Sequence, residues 1–169
     1  MLVALVLLPV AARVPLERNL VASVYDPQRI QYGTLLTEDA MRLIQRSRGT
    51  LPDDAVVLGA PSRGATYWWS LGGVHVVYPT RAGADEDTPE DALASVWPTL
   101  GQEGSEVCTL LNRLGVRYFY SSSDATASGS ETGSAPLRWD SALTQVPAAG
   151  LELVDSEGSA SLWRITACG

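Results

Sequence analysis

Residues 51–79 read LPDDAVVLGAPSRGATYWWSLGGVHVVYP, which places an apolar run, a glycine loop, a helix and a second apolar run in succession. Pro52-Asp53-Asp54 is a turn signal, because Pro presets its own φ and Asp bonds back to the local backbone. Ala55-Val56-Val57-Leu58-Gly59 has no polar alternation, the mark of a strand covered on both faces. The segment from about Arg63 to Leu71 predicts a helix that Gly72-Gly73 ends. Val74-His75-Val76-Val77-Tyr78 is then a second strand, stopped at Pro79, which has no N–H to donate. Two strands joined by such a connection pair in parallel through a right-handed crossover.

Working outward, the spacing predicts a helix from Glu38 to Arg48. Thr37 is its N-cap, Glu38 and Asp39 match the positive end of its dipole, and Gly49 takes the left-handed cap. Ala40, Met41, Leu43 and Ile44 form its apolar stripe. Downstream, Thr88-Pro89-Glu90-Asp91 starts a helix that runs to about Trp97. Ser105 caps the next one, in which Val107, Leu110, Leu111 and Leu114 recur at helical spacing before Gly115. Val116 to Tyr120 is a strand. Residues 121–135, rich in Ser, Gly, Thr and Ala, predict a flexible loop. A short helix is expected near Arg138 to Gln145. Leu151 to Val154 and Ser161 to Thr166, flanking Ser156-Glu157-Gly158, predict a closing hairpin. The sum is an α/β three-layer sandwich, with a Rossmann-like, mostly parallel sheet and a C-terminal antiparallel hairpin.

The chain has 169 residues, 46% hydrophobic and 18% charged, with 12 basic and 19 acidic side chains and a formal charge of -7. That apolar content excludes a disordered chain, and the acidic balance argues against a nucleic-acid partner, which needs a basic face. Every basic residue is Arg, so Schiff-base chemistry and lysine-dependent phosphate loops are excluded.

The loop Gly59-Ala60-Pro61-Ser62-Arg63-Gly64-Ala65-Thr66 has the glycine spacing of a P-loop, but Ala65 stands where the phosphate-binding Lys is required. The weaker reading treats it as the carboxyl edge of the first strand, where open parallel sheets collect ligands. Ser62, Arg63 and Gly64 are then candidate ligand-binding residues, with Arg63 holding an anionic or hydroxyl-rich group; the alternative is a plain strand-to-helix turn. Tyr67, Trp68 and Trp69 point about 100° apart on a helix, so all three cannot face one core; one or two pack on the sheet and one is exposed as a sugar platform or interface anchor, with Trp68 a ligand-binding candidate and core packing the alternative. His75, the single histidine, is a ligand-binding candidate or a structural residue. Asp85, Glu86, Asp87, Glu90 and Asp91 lack the spacing of a calcium loop. Asp53 and Asp54 are turn residues. No metal site, cofactor or catalytic residue is assigned.

Met1 to Ala12 reads MLVALVLLPVAA, too short for the ~20 residues of a membrane span and without the positive start of a signal peptide. Three readings stand: the outer end of a transmembrane helix that begins earlier, a signal-like segment, or a buried N-terminal element. The expected organisation is residues 1–18 as that segment, 19–36 as a linker, and 37–169 as one α/β domain. Cys108 and Cys168 lack metal-ligand spacing; an even pair after an export-like start favours a disulfide, and two separate thiols are the rival.

The succession LLTEDAMRLIQR, LPDDAVVLGAPSRGATYWWSLGGVHVVYP, SEVCTLLNRLGVRYFY and SLWRITACG resembles the C-terminal extracytoplasmic domain of an actinobacterial family of polytopic membrane proteins, distantly similar to lipid-linked-sugar glycosyltransferases. Val107-Cys108, Leu114 to Tyr118 and Trp163 to Cys168 carry the likeness. It implies a Cys108–Cys168 disulfide, a soluble domain outside the membrane, and a transmembrane portion of a longer chain as partner. It also implies that any glycosyltransferase carboxylate lies elsewhere. The resulting expectation is a membrane-tethered, non-catalytic accessory domain that binds envelope glycan, acceptor or partner protein. The alternative is an independent ligand-binding or enzymatic domain using the loop after the first strand.

Overall fold

A computed structural model describes residues 36–80, 82–123 and 139–168. Residues 1–35 and most of the 121–135 stretch, on which the membrane segment, the linker and the flexible loop were expected, lie outside the described residues. Helix α1 spans Glu38–Ser47, capped by Thr37, whose hydroxyl accepts the Ala40 N–H at 3.1 Å. Ala40, Leu43 and Ile44 are buried beneath it, and Gly49 follows at φ +80. Helix α2 spans Pro89–Val96 with Thr88 accepting the Asp91 N–H, and α3 spans Val107–Arg113 with the Ser105 hydroxyl accepting the Val107 N–H. These starts coincide with the sequence signals because a cap is a contact within three residues.

Five strands form one sheet: β1 Val56–Leu58, β2 His75–Val76, β3 Val116–Ser122, β4 Leu151–Glu157 and β5 Ala160–Ile165, in the order β2-β1-β3-β5-β4. β1 pairs in parallel with β2 and β3, whereas β5 pairs antiparallel with β3 and β4. The α/β architecture is therefore the one expected, a parallel core closed by an antiparallel hairpin. Side-chain alternation divides the core between two faces. Val57, Tyr118, Tyr120 and Leu162 pack with α1 and Trp68 on one face; Leu58, Phe119 and Ile165 pack with Leu93, Trp97 and Leu111 on the other. Helices thus cover both faces.

Several elements differ from expectation. The predicted helix over Arg63–Leu71 is replaced by a 3₁₀ turn at Pro61–Arg63 and a wide π-type turn at Trp68–Gly72. Gly64 takes φ +90 and ends the first turn, and Gly73 at φ +71 ends the second. β2 has two residues rather than five, because its partner β1 offers a ladder only through Val56↔His75 and Val57↔Val76. β3 continues through Ser122, taking the first two residues of the expected loop, since β5 pairs with it as far as Ala160. The expected helix near Arg138 is a 3₁₀ turn at Ser141–Thr144, with Arg138 itself outside the described residues.

An ion-pair network ties α1 to β4. Arg46 donates to both carboxylate oxygens of Asp155, at 2.9 and 3.1 Å, and to Glu157 at 2.8 Å. Arg42 donates to Glu157 at 3.1 Å and also pairs with Glu38 and Asp39. Hydrogen bonds from Arg46 hold the Asp155 carboxyl below its usual range, and those from Arg46 and then Arg42 do the same for Glu157. Carboxylates lowered in this way stabilise the fold above the ordinary range near about pH 4, and the contribution disappears as pH falls through the lowered values. Arg46→Gln is expected to be less stable than the parent at neutral pH and to converge on it in acid, as pH falls through the lowered carboxyl values. Denaturant melts at both pH values check this; a gap that persists in acid contradicts it.

Candidate functional site

The carboxyl edge of β1 is the point from which the chain runs to opposite sides. β2 lies on one flank of β1 and β3 on the other. In open α/β sheets this reversal leaves a crevice beyond the strand ends, where ligands bind. The loop from Gly59 to Gly64 follows this strand end. A Cβ on Gly59 would stand 2.8 Å from the Tyr120 carbonyl oxygen and 3.0 Å from Ala65 Cβ, so glycine permits the close approach of β1 to β3. Beyond it, the Ala60 carbonyl accepts the N–H of Arg63 at 2.9 Å and of Ala65 at 3.3 Å, which folds the loop back tightly.

Ser62 occupies the centre of this turn and is 1% exposed. Its N–H has no partner within the turn; it donates instead to Asp140 Oδ2 at 2.8 Å, across 78 residues of chain. Asp140 is wholly buried. Its backbone carbonyl accepts the Leu143 N–H at 3.0 Å and so starts the Ser141–Thr144 turn. The neighbouring Trp139 packs on Tyr78, with ring centroids 5.0 Å apart, and its ring lies 3.2 Å from the place a Gly83 Cβ would take. The Tyr78 hydroxyl in turn donates to the Glu90 carbonyl at the start of α2. Burial, followed by the Glu90 and Asp91 carboxylates, raises the Tyr78 phenol well above its ordinary pKa, so it remains a neutral donor. Asp140 is thereby held by the Ser62 N–H, and its chain neighbour Trp139 is packed on Tyr78. Two oxygens stay unused: Asp140 Oδ1 and Ser62 Oγ are buried with no hydrogen-bond partner.

The candidates chosen from sequence fall into separate places. Ser62, Arg63 and Gly64 share the loop, with Arg63 half-buried and Gly64 in the left-handed conformation. Trp68 is fully buried, edge-to-face with Tyr120 at 5.7 Å, beneath α1 and away from solvent. Its neighbour Trp69 is 58% exposed. His75 is exposed and pairs with Val56, at the start of β1, whereas the loop follows the end of that strand. The single imidazole of the chain therefore stands at the opposite end of β1 from Ser62. Both cysteines are joined, Cys108 to Cys168, with Cα atoms 5.2 Å apart. The described residues contain no group of three or more His, Cys, Asp or Glu arranged to hold a metal ion. Asp140 is the residue that sequence reasoning missed. An isolated Asp after a Ser/Gly-rich stretch carries no motif, and only the long-range Ser62 contact singles it out.

An α/β domain with a buried Asp beside a serine loop at the end of β1 and a disulfide at its C-terminal end is the class that fold and site define. The chain belongs to a family of unknown function, DUF6541, whose family model matches residues 1–167. No curated protein and no solved structure matches it. Among the described residues, no helix is long and apolar enough to cross a membrane.

Proposed function

We propose that this chain is a non-catalytic, extracytoplasmic accessory domain of an actinobacterial cell-envelope membrane protein. It binds glycan, acceptor or partner protein for a membrane-embedded unit that resembles a lipid-linked-sugar glycosyltransferase or a transporter. The observation that carries this reading is the Cys108–Cys168 disulfide, since such bonds persist in oxidising compartments and are rare in reducing ones. The apolar run Met1 to Ala12 supports tethering, and the charge of -7 suits a segment outside the membrane, away from the positive cytoplasmic loops. Placement of chemistry-bearing groups supports a binding role. A serine nucleophile needs an adjacent base, and a cysteine nucleophile needs a free thiolate. Here His75 is remote from Ser62, and both sulfurs are engaged with each other.

A C-terminal alkaline-phosphatase fusion to the whole protein is expected to be active, and the matching green-fluorescent fusion dark. Alkylation without reductant followed by mass analysis is expected to find no free thiol. A fluorescent fusion together with two alkylated cysteines overturns the extracytoplasmic assignment. Thermal stabilisation by nucleotides alone, with envelope sugars inert, overturns the accessory role.

A further inference from the structure

We propose that the outer edge of β4, over Leu151 to Val154, is a docking site that takes an extended, basic and apolar segment of a partner protein as an added strand. This deepens the partner-protein branch of the accessory reading and rests on that branch for the partner's presence. Among the described residues β4 is the last strand of the sheet, and its seven residues contrast with the two of β2 at the other edge. Backbone groups along a long edge are a template for pairing unless something blocks them. The Thr166 N–H donates to the Gly150 carbonyl at 2.8 Å, so Gly150 faces β5. Strand alternation, with Leu151 opposite Ile165 and Leu153 opposite Trp163, then turns the N–H and C=O of Leu151 and Leu153 to the open side.

The two halves of this edge differ. Glu157 and Ala160 face each other across the Gly158-Ser159 turn, which leaves Ser156 pointing outward. Side chains close its backbone groups: the N–H donates to Asp155 Oδ1 at 2.8 Å, and the carbonyl accepts from Arg46 at 3.1 Å. Neither Glu152, engaged by Arg164 at 3.2 Å, nor the apolar Val154 supplies such a cap to Leu151 and Leu153. Here the side chains are apolar and in water, Leu153 51% and Val154 41% exposed, beside the half-buried Trp163. An added strand covers them while its backbone completes the ladder. The register shift between Leu153 and Asp155 marks where that ladder stops. Charge decides the occupant. β4 reads LELVDSE, with three carboxylates and no base, in a chain of formal charge -7. A second copy would bring two such acidic strands edge to edge, and like charges across a strand pair are destabilising. An extended segment with a basic residue near Glu152 and an apolar one near Leu153 satisfies both.

The test follows amide hydrogen exchange by NMR in the whole chain, with a short synthetic peptide alternating Val and Arg as the probe. Two controls accompany it: the same peptide N-methylated through its centre, which keeps the charge and loses the ladder, and a version with Glu in place of Arg. The Val/Arg peptide is expected to slow exchange of the Leu151 and Leu153 amides by roughly 100-fold at about 100 times its Kd, and to leave the capped Ser156 amide unchanged. Both controls are expected to protect neither amide. Leu153→Lys, at an exposed position, is expected to weaken the peptide about tenfold while the thermal midpoint stays near the parent. Equal binding of the N-methylated peptide overturns the site, because charge alone then accounts for it. Unchanged exchange at Leu151 and Leu153 overturns it as well. So does protection already present without peptide: at every protein concentration it means that the chain closes its own edge, and in proportion to concentration it means that a second copy does. The fusion experiment above is read separately. A cytoplasmic result removes the accessory reading and leaves a measured edge in place, whereas unprotected amides remove the docking site and leave the extracytoplasmic assignment intact.

Discussion

Replacing Cys108 and Cys168 together by Ser is expected to lower stability by about 4 kcal/mol, with a fall in thermal midpoint of roughly 8–16 °C for a chain of this size. The bond spans a sequence separation of 60, and closing so long a loop removes much of the freedom of the unfolded chain. It also acts on the native state at a defined place. Cys108 lies on α3, and Cys168 follows β5 by three residues. Between them, the Thr166 and Ala167 N–H groups both donate to the Gly150 carbonyl, at 2.8 and 3.3 Å. A Cβ on Gly150 would come within 2.5 Å of Ala167 Cβ, so the tail packs directly on that glycine, which sits at φ +82. Thermal melts of parent and double variant, with and without a phosphine reductant, provide the measurement. The reductant is expected to bring the parent down to the variant and to leave the variant unmoved. A variant as stable as the parent contradicts the account.

Trp68→Ala is expected to lose about 3–5 kcal/mol, whereas Trp69→Ala changes stability by no more than about 0.5 kcal/mol. The two residues are adjacent, yet one is fully buried and the other 58% exposed. Trp68 fills the space between α1 and the sheet. Its ring meets Tyr120 edge-to-face at 5.7 Å, and its Cε3 lies 3.3 Å from where a Gly72 Cβ would stand, with Ile44 at the same distance from that point. Removing the indole leaves a cavity among Leu43, Ile44 and Tyr120 that the rigid sheet cannot close. Chemical denaturation of both variants decides this. Equal losses would mean that the π-type turn rearranges to exchange the two rings.

The same pair shows how far the amino-acid pattern reaches. That Tyr67, Trp68 and Trp69 cannot all face one core follows from helical spacing alone. Which of them packs inward was decided by the 3₁₀ turn and the wide π-type turn that stand in place of the expected helix, with Gly64 and Gly73 in the left-handed region at their ends. The site behaves likewise. Ser62, Arg63 and Gly64 were legible as an edge loop because a strand, a glycine pair and a turn follow one another within ten residues. Trp68 and His75 were legible as chemically capable side chains, but nothing in their spacing reveals burial under α1 or a place at the opposite end of β1. Asp140 was not legible at all.

Local contacts account for what the sequence alone showed: the Thr37 and Thr88 caps, the Ser105 bond before α3, the apolar run of β1, and the turns at glycine. Each depends on residues at most four positions apart, so the pattern that causes it is visible in one short window. The strand order, the two-residue length of β2, the extension of β3 along β5, and the Asp140–Ser62 contact arise from segments that meet only after folding. Their partners are 19 to 78 residues distant, as the Val56↔His75 pairing and the Ser62–Asp140 bond illustrate. At such separations the choice among many compatible pairings is made by simultaneous packing on both faces of the sheet, a property of the assembled core and of no single stretch of chain.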